Sequence, residues 1–185
     1  MDKSKILNET AFALIVAALA ASLGVVYNFV PQLWTLIVGF IISVGCIFGV
    51  RMASSVILRK SMLWFVAAFM GISLSSKLVG ASFGMIATAM IITAMLTGLA
   101  SVIYSKFSVK SLMVFSLAGL LGLIGLAMFG IQGTWVSAIG VIVYFACIMY
   151  DFHNMSDEPN AESGAMGLVI SVIGLFQNIR NFLGD

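Results

Sequence analysis

Polar residues fall into short clusters along this chain, and the stretches between them are almost continuously apolar. Seven such stretches stand out, at about 11–27, 32–50, 62–76, 78–104, 111–131, 134–150 and 164–182. Asn28 and Pro31 part the first two, the second continuing from Gln32, and Arg51, Arg59 and Lys60 interrupt before the third. Lys77 ends the third, and the basic loop Ser105 to Lys110 leads into the fifth. Gln132 and Gly133 make a tight connection to the sixth, and the acidic stretch Asp151 to Glu162 precedes the seventh. Most approach the roughly 20 residues that a helix needs to cross a bilayer. None alternates as a barrel strand would, and an isolated strand cannot satisfy its backbone in lipid. The pattern predicts an all-α polytopic membrane protein, with residues 1–185 forming a single transmembrane domain, a seven-helix bundle. Six spans is the alternative count, with the short third stretch re-entrant.

Composition agrees. Of 185 residues, 62% are hydrophobic and only 9% charged, with a mean hydropathy of +1.16. Nine Lys and Arg, seven Asp and Glu and one His could not cover the surface of a soluble fold this size. The net charge of +2 comes without a basic run, so nucleic acid is not an expected partner. Cys46 and Cys147 both lie in apolar stretches and read as buried free thiols. The start of the chain, with Lys3 and Lys5 ahead of an apolar run, has the look of a signal peptide; the spans that follow make it a first transmembrane helix.

Charge also orients the spans. With seven crossings, Lys3, Lys5, Arg51, Arg59, Lys60, Lys106 and Lys110 share one side, leaving Lys77 and Arg180 on the other. The positive-inside rule then places the N-terminus in the cytoplasm and the C-terminus outside. Gly45 with Gly49, Gly80 with Gly84, and Gly119, Gly122 and Gly125 are spaced for close helix packing.

Candidate chemistry is sparse. Asp151 ends the sixth stretch and Arg51 ends the second, at the same expected depth, where a carboxylate and a guanidinium can neutralise each other. His153 follows two residues after Asp151, with Asp157, Glu158 and Glu162 beyond; such a loop either attracts cations at a channel mouth or is simply solvated. Arg180, in the last turn of the seventh span, is placed to snorkel. Ser73 has no His or Lys base at matching depth, and no phosphate-binding loop or paired-aspartate span occurs, so the chain reads as non-enzymatic and without a cofactor.

Three stretches resemble the Bax inhibitor motif (TMBIM) family. They are Phe69-Met70-Gly71-Ile72-Ser73-Leu74-Ser75, the run Leu117 to Gly125, and the end of the chain. That end comprises Tyr150-Asp151, the acidic loop, Gly174-Leu175-Phe176, and Arg180 to Gly184. The resemblance implies a pH-sensitive calcium or proton-linked leak. Asp151 would then be the gating carboxylate and candidate calcium ligand, Arg51 its partner, and Ser171 and His153 would lie on the ion path. The family's seventh-span aspartate does not carry over, since Ser171 stands there. In this the chain is similar to a bacterial branch of inner-membrane proteins associated with a membrane-bound ATP-dependent protease. The second implied reading is accordingly a non-transporting modulator of such a protease.

Overall fold

The computed structural model describes residues 3–28 and 33–184, the side chains of 33–36 excepted. The expected break at Pro31 and start at Gln32 lie outside the described residues. Seven α-helices follow in order, and among the described residues there is no strand. They are α1 (Lys3–Val26), α2 (Leu33–Met52), α3 (Val56–Leu78), α4 (Phe83–Ile103), α5 (Val109–Met128), α6 (Thr134–Asn154) and α7 (Ala161–Gly184), with one 3₁₀ turn at Tyr104–Lys106. Among the described residues six are long and apolar enough to cross a membrane, and Ile37–Met52 of α2 is a shorter apolar run. This is a polytopic helical membrane protein.

Two elements begin elsewhere than the polar punctuation suggests. Helix α3 starts at Val56, so Arg59 and Lys60 stand in its first turns and the element is 23 residues long. The long apolar stretch 78–104 is cut near its start. Gly80 turns the chain at φ 84, open to it because it lacks a Cβ, and the Ser82 hydroxyl caps α4 by accepting from the Met85 amide at 3.2 Å.

The chain divides into two compact units, Met1–Gly80 with Met155–Ile170, and Ala81–Asn154 with Ser171–Asp185. In the first unit α1 buries a stripe of small residues, Thr10, Ala13, Ala17, Ala21 and Gly24, led by Ile6. Phe12, Ile15, Leu19 and Leu23 face outward. Small inside and large outside is the arrangement lipid favours, because tails solvate leucine as well as a core does, and backbone proximity then supplies the attraction. The stripe lies on α3, whose buried positions are Leu63, Val66, Ala67, Gly71, Leu74 and Ser75. Gly71 meets the Ala17 backbone and Gly24 meets Ser75, so the two helices run parallel. Helix α2 packs antiparallel on α3, with Gly39 under Phe69 and Gly49 beside Met62. Two hydroxyls here bond back along their own helix: Thr10 donates to the Ile6 carbonyl and Ser73 to the Phe69 carbonyl, each at 2.8 Å.

In the second unit α6 packs on α4 and α5, with Gly119 of α5 against Val143. Cys147 is buried, and both cysteines are free.

Candidate functional site

Helix α7 is the least apolar of the candidate spans and, with α6, the most enclosed; 44% of each window is buried, against 11% for α5. Its Glu162, Ser163 and Ser171 are buried, which in lipid is the side on which polar groups find partners. In the second unit Gly140, Tyr144 and Asp151 of α6 meet Asn178, Gly174 and Ser171 of α7, an antiparallel seam. Ser171, 6% exposed, donates its Oγ hydrogen to Asp151 Oδ2 at 2.7 Å.

In the first unit Arg51, at the end of α2, meets a carboxylate of the acidic stretch. Arg51 Nη2 reaches Glu158 Oε1 at 2.7 Å, and Ser163 Oγ donates to the other Glu158 oxygen. Arg59 Nε meets Glu162 Oε2 at 3.1 Å, while its Nη1 donates to the Ala53 and Ser54 carbonyls just beyond α2. Lys60 pairs with Glu9 at 2.7 Å. The acidic stretch thus gives two of its carboxylates to arginines, and the α2 end, the α3 start and the α7 start lie together. Ile6 packs on Gly164, which brings the start of α1 to the same end.

A family model described as "Inhibitor of apoptosis-promoting Bax1" matches residues 4–185, nearly the whole chain. The chain belongs to the Bax inhibitor family. Among curated proteins none matches it.

In this Bax inhibitor family protein, His153 contacts the turn that follows α4. Its Nε2 is 2.9 Å from the Phe107 carbonyl, and its ring stands edge-on to Tyr104 with centroids 5.1 Å apart. A carbonyl only accepts, so Nε2 carries the proton and the ring ties the end of α6 to the turn after α4. No group of three or more His, Cys, Asp or Glu placed to hold a metal occurs among the described residues. Near the other end of α7, Arg180 reaches Asn181 Oδ1 at 3.4 Å, and its Nε is buried without a partner among the described residues.

One residue passed over in the sequence is Asn160. Its Oδ1 accepts from the Ser163 amide at 2.8 Å, capping α7, and its Nδ2 donates to the Val50 carbonyl in the last turns of α2 at 3.0 Å. A single buried amide thus caps one helix N-terminus and one helix C-terminal end. The available signal was Pro159-Asn160 two residues ahead of Glu162, a helix-start pattern. Asn160→Ala should cost about 2 kcal/mol, the sum of a lost cap and a lost interhelical hydrogen bond. Asn160→Asp should cost about half as much, since it retains only the cap. Unfolding in detergent measures both, and full stability in Asn160→Asp would show that the Val50 bond contributes nothing.

Proposed function

We propose that the protein is a pH-sensitive cation leak, for calcium or linked to protons, controlled by the contact of Asp151 with Ser171. The observation that carries this reading is the 2.7 Å hydrogen bond between them. The hydroxyl hydrogen occupies one lone pair of Asp151 Oδ2, so a cation ligated there competes with the hydrogen bond. An arriving cation draws both oxygens toward itself, as hard divalent ions do, and the hydrogen bond must break. Protonating Asp151 removes the charge that attracts the cation, so the leak should fall as pH falls. Arg51 contributes by holding Glu158, in the segment that links the two helices carrying the contact. The charge distribution supports a cytoplasmic N-terminus and an outer C-terminus, and the resemblance to the bacterial branch supports an inner membrane.

Vesicles reconstituted with the protein and loaded with a calcium dye test the proposal. Flux should fall roughly tenfold in Asp151→Asn, the scale of one charged contact, and lose its pH dependence. Arg51→Ala should alter it less. A flux absent at every pH, or unchanged in both variants, would exclude the leak.

A further inference from the structure

We infer that Tyr144 and Asn178 form the barrier of this leak, a side-chain plug seated in two glycine notches on the seam that holds Asp151 and Ser171. The inference rests on the reading that the Asp151–Ser171 contact controls a leak. Gly140, Tyr144, Cys147 and Asp151 follow one another at helical spacing, so they share one face of α6. Asn178, Gly174 and Ser171 do the same on α7. Tyr144 stands seven residues before Asp151, about 10 Å along the helix axis. A cation moving along this seam from the carboxylate passes Cys147 and then meets the tyrosine ring.

The ring fills the place that a side chain at position 174 would need. A Cβ there would lie 2.5 Å from Tyr144 Cζ and 2.6 Å from Cδ1. One turn further, Asn178 fills the notch at Gly140 in the same way. Its Nδ2 donates to the Gly174 carbonyl at 2.8 Å, which fixes the amide and turns Oδ1 toward Gly140. Both notches are therefore closed by side chains that a rotamer change can withdraw, whereas a backbone-on-backbone closure could not open without separating the helices. Both plugs also carry oxygen, a phenol and a carboxamide, in line with the carboxylate and hydroxyl.

Calcium flux into dye-loaded vesicles tests this with Tyr144→Ala, Tyr144→Phe and Asn178→Ala, each checked for a folded, monodisperse state, beside Asp151→Asn. Tyr144→Ala should raise the leak severalfold, and Tyr144→Phe, which retains the ring, should stay near wild type. Asn178→Ala should also raise it, and this variant decides the matter if Tyr144→Ala does not fold. An unchanged leak in the folded plug variants, with Asp151→Asn still reducing flux, overturns the barrier and leaves the leak standing. A rise in Tyr144→Phe equal to that in Tyr144→Ala overturns the steric role of the ring. If Asp151→Asn also leaves flux unchanged, the leak itself falls.

Discussion

Gly71→Ala should destabilise the protein by about 3 kcal/mol, the upper part of the range for overpacking a filled site, and Gly71→Leu should prevent folding. A Cβ at position 71 would fall on the Ala17 carbonyl oxygen, 2.9 Å from its carbon and 3.0 Å from the Ala17 Cα. The obstacle is backbone, so it cannot rotate away, and relief requires α1 and α3 to part along their contact. Much of the attraction between two helices in lipid is this close packing, with no hydrophobic gain to offset its loss. Gly45→Ala is the matched control. Nothing lies within 4 Å of its added Cβ, and the better helix former should be neutral or stabilise by up to about 1 kcal/mol. Chemical unfolding in detergent compares the two. Equal effects would mean that the Gly71 approach does not hold α1 on α3.

Arg59→Leu should cost about 3–5 kcal/mol, the loss expected when one member of a buried ion pair is removed. The Glu162 side chain is 6% exposed and that of Arg59 17%, so the stranded carboxylate gains little water. Glu162→Gln should cost much less. An amide oxygen still accepts from Arg59 Nε, and the guanidinium retains the Ala53 and Ser54 carbonyls. The double change Arg59→Met with Glu162→Leu should recover most of the loss, because an apolar pair of similar volume carries no desolvation penalty. Thermal unfolding of the three variants decides this. A double variant as unstable as Arg59→Leu would show that the carbonyl contacts, not the stranded charge, set the cost.

Both predictions concern features that linear reading reached only in part. The glycine spacing at 45 and 49 is as regular as any in the chain, yet Gly45 has open space and Gly49 meets only the flexible end of Met62. Spacing shows that a helix can be approached; the approach also needs a partner with a small-residue stripe. For Gly71 that stripe lies on α1, more than fifty residues away in sequence. Arg59 and Lys60 read as loop residues because charge beside a span usually means its end. They lie inside α3 because Glu162 and Glu9 neutralise them there. The break between α3 and α4 was hidden by apolar neighbours, although Gly80 and Ser82 carried a local signal for it.

Within the candidate site, Asp151 and Ser171 were readable as polar positions at a span end and inside a span. Their direct hydrogen bond was not, and neither was the pair of Arg51 with Glu158. Tyr144, Asn178 and Asn160 drew no notice, since one tyrosine or asparagine in an apolar run has no pattern of its own.

The sequence alone determined that the chain is helical and lies in a membrane, because transfer of a segment into lipid is a sum over its own residues. It also determined where charge is concentrated, and hence which few side chains had chemistry to offer. Only the tertiary structure decided which of them meet. A carboxylate can pair with any cation at its depth, and a glycine can receive any helix of matching shape. That choice depends on the rotation and register of helices far apart in the chain, which no local property of the sequence encodes.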